Sequence, residues 1–347
     1  MQARGNQVFV DELAEFAAGC ADPRVRAIAE KAATPLRAAV SGRAGVGRGT
    51  VTRALAHAGT AADITVMPSE GEADVVVRVV AEVAKPEDVD VIAAAGGPVL
   101  TVLNKTDLLG SLSGRTGDGP LAAARARCAQ LAEVTRAPVE PMIALLAVTA
   151  LEGVDTTSWA ALRTLVAHPA GLDGSFEAFL AADNPVPRQA RLRLLDTLDL
   201  FGTALGVAAV RRGGTPAQLR ALLRRISGVD AVIARIAALG SEVRYRRALE
   251  ATAELQALAV GPAPVGGQVT AFLSRDDTVI ARMAAAVEVV EAAGHDVGDC
   301  DDPDEHLRRA TRWQRYARAS ANDLHRACGA DIARGSLRLW SQAREPW

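Results

Sequence analysis

Apolar positions along the chain fall into two regimes. In the first, short continuous apolar runs alternate with segments of helical period. The runs are Leu36–Val40, Ile64–Met67, Asp74–Val83, Pro98–Leu103 and Met142–Val148, and each predicts a strand. Helical patterns lie between or after them at Val51–Ala58, Val89–Ala95, Leu121–Thr135 and Trp159–Ala167, and a Gly/Ser/Asp loop is expected at Gly110–Pro120. Strands that are apolar on both faces predict a parallel sheet covered by helices on each side. From Asn184 onward only the helical period remains. Leu194, Leu198, Phe201, Leu205 and Ala208 predict a long helix ending at Gly213-Gly214, and Thr215-Pro216 starts the next. Further helices are expected at 230–239, 241–260 and 280–290, a linker at Gly261–Gly267, and one long helix from Asp302-Pro303 through Cys328.

Two helices also precede the first strand. Asp11 is placed to cap one carrying Leu13, Phe16 and Cys20, and Asp22-Pro23 starts the second, which runs to about Ala33. The chain is therefore expected to be α/β, with a parallel-sheet domain at 36–170 inserted between helical segments at 1–35 and 185–347 that together form a helical bundle.

Composition changes this picture little. The 347 residues are 49% apolar and 23% charged, as expected of a folded chain with room for two cores. Aromatics are only 3%, which favours helix packing over a β-sandwich. The net charge of −2 carries no global signal for a polyanion, so no nucleic-acid partner is expected. Cys20, Cys128, Cys300 and Cys328 are scattered without C-x-x-C spacing, which argues against a metal or disulfide framework and for a reducing cytosol. Met1–Glu12 lacks the apolar core of a signal peptide, and the most apolar stretch, 194–210, is interrupted by Asp196 and Asp199. A cytoplasmic location is the expectation.

The chemistry concentrates at the strand ends. Val40–Thr50 reads V-S-G-R-A-G-V-G-R-G-T, close to the phosphate-cradling template G-x-x-x-x-G-K-[ST]. Gly42 and Gly47 occupy its glycine positions, with Gly45 and Gly49 adding backbone freedom. Arg48 stands in place of lysine, and Gly49 and Thr50 are the residues nearest the expected hydroxyl. Backbone N–H groups of such a turn, at a helix N-terminus, bind phosphate. Gly49 offers no hydroxyl to Mg²⁺, and the planar fork of Arg48 is not equivalent to an ammonium group.

Asn104-Lys105-Thr106-Asp107 follows an apolar strand in the manner of N-K-x-D, where the Asp accepts guanine N1–H and N2–H₂, the Lys stem lies over the base and the Asn ties back to the phosphate loop. Thr149-Ala150, at the end of the run 142–148, is placed to offer a backbone amide to guanine O6. After Ile64–Met67 a D-x-x-G would hold the magnesium shell; Pro68 takes the Asp position and Gly71 the Gly position. The short connection Gly59–Asp63 leaves no room for a switch loop, with Thr60 its sole hydroxyl.

In these elements the chain resembles bacterial dynamin-like GTPases, in particular a soluble actinobacterial branch. The resemblance rests on the early amphipathic helices, G-R-A-G-V-G-R-G-T, P-S-E-G in place of D-T-P-G, N-K-T-D, V-T-A-L, and Leu198-Asp199-Leu200-Phe201-Gly202 with the helices after it. It implies a P-loop GTPase-like domain binding GTP or GDP, and flanking helices that couple nucleotide state to assembly or membranes. The departures at Arg48, Gly49 and Pro68 count against Mg²⁺ and catalysis. A pseudo-GTPase acting as a regulatory or assembly partner, as a homo- or hetero-oligomer with a dynamin-like relative, is the first expectation. The alternative is a slow GTPase with Mg²⁺ held by phosphates and water; a purely structural module is the third, against which N-K-T-D argues. Arg308, Arg309, Arg312, Arg315 and Arg318, near Trp313 and Tyr316, read as a solvated helix face in preference to a peripheral contact with anionic lipid.

Overall fold

The computed structural model describes residues 5–109, 119–168, 172, 175–261, 265–298 and 302–344. Most of the loop expected at 110–120, the centre of the linker at 261–267, and Cys300 lie outside them. The chain opens with α1 (Gly5–Ala18) and α2 (Pro23–Ala32), the latter capped by Asp22, whose side chain accepts from the Arg24 N–H, with Pro23 at the first helical position. Next come β1 (Leu36–Gly42), α3 (Arg48–Gly59), β2 (Ile64–Met67), β3 (Val75–Ala81), α4 (Pro86–Ala93), β4 (Val99–Asn104), α5 (Pro120–Thr135) and β5 (Val139–Pro141). Six helices follow: α6 (Ala144–Glu152), α7 (Thr156–Ala167), α8 (Phe176–Ala181), α9 (Arg188–Arg211), α10 (Pro216–Ser227) and α11 (Val229–Leu239). The chain ends with α12 (Ser241–Val260), α13 (Gly266–Ser274), α14 (Asp276–Ala292), α15 (Pro303–Ala319) and α16 (Asp323–Gln342).

These elements form two compact units, Arg37–Ala237 and the pairing of Met1–Leu36 with Ala238–Trp347. The boundary at 237/238 differs from the one expected at 185. Helices α9 and α10 belong to this unit because they pack on α6 and α7: Leu194, Leu198, Leu219 and Leu223 join Leu146 and Leu162 in one buried cluster. Amphipathic spacing alone does not say against which partner a helix closes.

In the Arg37–Ala237 unit the strands lie in the order β2-β1-β3-β4-β5, with β1–β3, β3–β4 and β4–β5 parallel. Val77, Val79, Leu100 and Val102 are fully buried, as continuous apolar runs require. The order reverses direction between β1 and β3, so the carboxyl end of β1, at Gly42, stands at a topological switch point. Open α/β sheets bind ligands there.

One predicted strand is wrong. The run Met142–Val148 holds no strand; β5 is confined to Val139–Pro141, and Ala144–Glu152 is helical. A nine-residue Ala/Leu-rich stretch has strong helix propensity, and its near-complete burial erases the one-sided period that would have distinguished helix from strand. Helix α9 carries a second surprise. Asp199 breaks it at φ 59°, ψ −176°, and its Oδ1 accepts the Leu200 N–H at 2.6 Å, starting the second half afresh. The single C-terminal helix expected from 302 to 328 is two, α15 and α16, parted at residues 320–322 with Asn322 capping the latter.

In the other unit, Phe9, Leu13, Val25, Ile28, Leu255 and Phe272 belong to one core where α1 and α2 close on α12 and α13. A second core joins α12, α14, α15 and α16 around Tyr245, Trp313, Cys328 and Ile332. Asp331 is buried there at 4% exposure, receiving the Tyr245 hydroxyl at 2.8 Å and the guanidiniums of Arg282 at 2.8 Å and Arg334 at 3.0 Å. Among the described residues no helix is long and apolar enough to cross a membrane.

Candidate functional site

The turn after β1 has the backbone a phosphate loop needs. Gly42, Gly45 and Gly47 take φ of 153°, 86° and 85°, values that side chains strain against. Gly42 and Gly47 are fixed by contact as well. A Cβ on Gly42 would stand 2.7 Å from the Val79 carbonyl oxygen, and one on Gly47 would stand 2.4 Å from Asn104 Nδ2. Gly45 and Gly49 face open space instead. Gly47 is the N-cap of α3, and no side chain caps that end, so the first-turn N–H groups of an apolar-anchored helix point outward beside Gly49. Arg48 and Gly49 are exposed and Thr50 is half-buried.

Asn104 links this loop to the next. It ends β4, is 4% exposed, donates from Nδ2 to the Val46 carbonyl at 2.9 Å, and accepts on Oδ1 from the Ala144 N–H at 3.0 Å. One side chain thus holds the glycine loop after β1 and the β5–α6 turn together. Lys105 follows in the left-handed conformation at φ 60° and is exposed, its Cε 3.9 Å from where a Gly47 Cβ would be. The buried Thr106 donates its hydroxyl to the Met142 carbonyl at 3.3 Å. Asp107 is half-buried in the short turn Thr106–Leu108. Burial pushes its carboxyl above the ordinary aspartate range; its own backbone N–H pulls the other way, the nearby Asp199 charge raises it further, and Lys105 lowers it. A carboxylate so placed gains by meeting donors.

Two expected contributions are not where the sequence placed them. Thr149 and Ala150 do not end a strand. They lie inside α6, both buried, with the Thr149 hydroxyl bonded to the Thr197 carbonyl and the Ala150 carbonyl accepting from Arg220 Nε at 3.2 Å. Neither amide is available to a ligand, because both are enclosed in a helix. The segment that faces Asn104 and Thr106 is Met142–Ala144, which strand-end reasoning missed because β5 ends at Pro141 and the expected strand ran to Val148. Its signal is Pro141, which cannot continue a ladder.

Gly71 is likewise displaced, while Pro68 directly follows β2. Between β2 and β3 the chain makes one 3₁₀ turn, Glu70–Glu72, and no α-helix, with Ser69 accepting the Gly71 N–H at 3.3 Å and Asp74 receiving the Arg37 N–H at 2.9 Å. Glu70, Gly71 and Asp74 line a groove of about 510 Å³ with Pro98 and Val99. That is the amino-terminal end of β3 and β4, opposite the phosphate loop. Gly49 has no hydroxyl, Pro68 has no carboxylate and Gly71 lines the groove at the opposite end of the sheet, so the residues present do not fit a protein-held Mg²⁺ shell. Among the described residues no group of three His, Cys, Asp or Glu is arranged to bind a metal.

The arginines of α15 are largely engaged. Arg308 pairs with Asp302 and Glu305, Arg309 donates to Ser336 at 2.8 Å, and Arg312 donates to the Val297 carbonyl at 2.8 Å while lying over Trp313. Scans of protein-family models, curated proteins and solved structures returned no match to this chain.

Proposed function

We propose that the Arg37–Ala237 unit binds a guanine nucleotide at the carboxyl end of β1 and β4, and that it acts as a regulatory or assembly partner and not as an efficient GTPase. The observation that carries this reading is the pair of hydrogen bonds by which Asn104 donates to the Val46 carbonyl and accepts from the Ala144 N–H. It joins a glycine loop suited to phosphate with a loop offering a half-buried carboxylate suited to the N1–H and N2–H₂ of guanine. The phosphates would meet the open amides at Gly45–Thr50 with Arg48 beside them, the base would meet Asp107, and Lys105 would cover it. Against hydrolysis stand the missing hydroxyl at Gly49, the missing carboxylate at Pro68 and the position of Gly71, since phosphoryl transfer needs charge neutralisation and an oriented water. The resemblance to dynamin-like proteins supports a role in assembly, with a relative or a second copy as partner.

Titration calorimetry with GDP, GTP and ATP, with and without Mg²⁺, beside a phosphate-release assay, tests the reading. Guanine-selective binding without turnover is expected, with selectivity lost in Asp107→Ala. Magnesium-dependent turnover, or equal affinity for ATP and GTP, would overturn it.

A further inference from the structure

One buried charge cluster at the phosphate loop is not used by the nucleotide reading. Asp88, in the first turn of α4, has no exposure at all, yet it carries a carboxylate. Burial alone would push that carboxyl up; the Arg78 guanidinium, the Lys85 backbone N–H and the Arg43 guanidinium together outweigh it and hold the group below its ordinary range. The geometry is unequal. Arg78, on β3, spends two nitrogens on Oδ1, Nε at 3.1 Å and Nη2 at 2.8 Å. Arg43 uses Nε alone, at 2.9 Å to Oδ2, beside the Lys85 N–H at 3.1 Å. Two guanidiniums against one carboxylate leave one surplus positive charge. The terminal nitrogens of Arg43 meet no acceptor among the described residues, so the surplus resides on Arg43, which is the residue after Gly42 and is about a quarter exposed (27%).

A guanidinium held by its Nε has lost most of its rotamer freedom and presents a fixed fork. Ser41 pairs with Arg78 across the sheet, so the braced residue follows directly on a paired strand. We infer that Arg43, braced by Asp88 and Arg78, is a positioning residue of the phosphate loop that also supplies fixed positive charge to bound phosphoryl groups. This rests on the nucleotide reading above and adds to it the source of charge that Gly49 and Pro68 do not provide. Asp88 is fully enclosed and acts only through Arg43.

The test compares Arg43→Gln and Arg43→Lys with the wild-type full chain, by calorimetry with GDP, pyrophosphate and guanosine, in Mg²⁺-free and Mg²⁺-containing buffer. Arg43→Gln leaves Asp88 paired with Arg78 and Lys85, so the fold is retained; thermal unfolding checks this. Loss of one charge-assisted contact predicts GDP and pyrophosphate binding weakened about 10- to 100-fold in Arg43→Gln, with guanosine within about twofold of wild type. Arg43→Lys keeps the charge without the braced fork and is expected in between. Wild-type binding of GDP with an unchanged GDP-to-guanosine ratio in Arg43→Gln overturns the inference alone. A parallel loss for guanosine would reveal a merely structural residue and overturn it too. Wild-type protein that binds neither GDP nor pyrophosphate overturns both this and the nucleotide reading.

Discussion

Removing the Asn104 side chain is the sharpest perturbation of the site. Asn104→Ala deletes a donor 2.9 Å from the Val46 carbonyl and an acceptor 3.0 Å from the Ala144 N–H, at a position only 4% exposed. Each buried backbone group left without a partner costs about 1–3 kcal/mol. Taking the lower half of that range for each, because the outer loop can admit water, gives about 3 kcal/mol in total. That is a large share of the roughly 5–15 kcal/mol that stabilises a domain. Hydrogen exchange read by mass spectrometry resolves it without assuming that the whole chain unfolds in one step. Peptides covering 36–47 and 99–109 should exchange about 100-fold faster, while peptides from α14 and α16 serve as an internal reference. Asn104→Asp separates the two bonds. It keeps an acceptor for Ala144 but sets a carboxylate oxygen against the Val46 carbonyl, so the 36–47 peptide should loosen more than the segment around Ala144. Acceleration below about threefold in Asn104→Ala would refute the account of this side chain as the clamp between the loops.

Three further outcomes are expected. Asp107 must be ionised to accept two N–H donors, and its folded pKa is raised, so GDP affinity should fall as pH drops through that raised value, beginning at a higher pH than for an ordinary aspartate; calorimetry across buffers of different ionisation enthalpy should register proton release on binding. By the same sign, the half-buried carboxylate lowers stability once pH exceeds its ordinary value, and Asp107→Asn should abolish guanine selectivity without destabilising the sheet at pH 7. Asp331→Ala strips Arg282 and Arg334 of their shared partner in the α12–α14–α16 core, and loss of one member of a buried pair predicts about 3–5 kcal/mol of destabilisation, read from the urea midpoint of that unit's transition. Burial pushes the Cys128 thiol up to about 11 and Cys328 to about 12, so both should resist a thiol reagent at pH 8 until denaturant is added.

Much of this was legible in the residues. The continuous apolar runs found β1 to β4, and the Asp22-Pro23 cap located α2, because strand burial and helix starts are written locally. The two loops of the site were also legible, since each is a short motif following a strand. What failed did so for nonlocal reasons. Met142–Val148 is buried on every side, and an apolar run without a face has no period to read. The 237/238 boundary depends on α9 and α10 packing on α6 and α7, a matter of partners and not of spacing. The Arg43–Asp88–Arg78 cluster draws on three separate elements, and the displacement of Gly71 follows from a connection that holds one 3₁₀ turn and no α-helix. The break at Asp199 sits inside a run whose heptad-like spacing carries on past it.

The tight connection between β2 and β3 has a consequence for time-keeping. In a nucleotide-driven clock, a slack segment beside the γ-phosphate orders in one state and loosens in the other. Here the corresponding stretch is stitched by Ser69 to Gly71 and by Asp74 to Arg37, at the far end of the sheet from the phosphate loop. On the nucleotide reading proposed above, it would have neither the slack nor the position to notice a third phosphate. A molecule built this way would register occupancy and not elapsed hydrolysis: a seat for the ligand and no second hand.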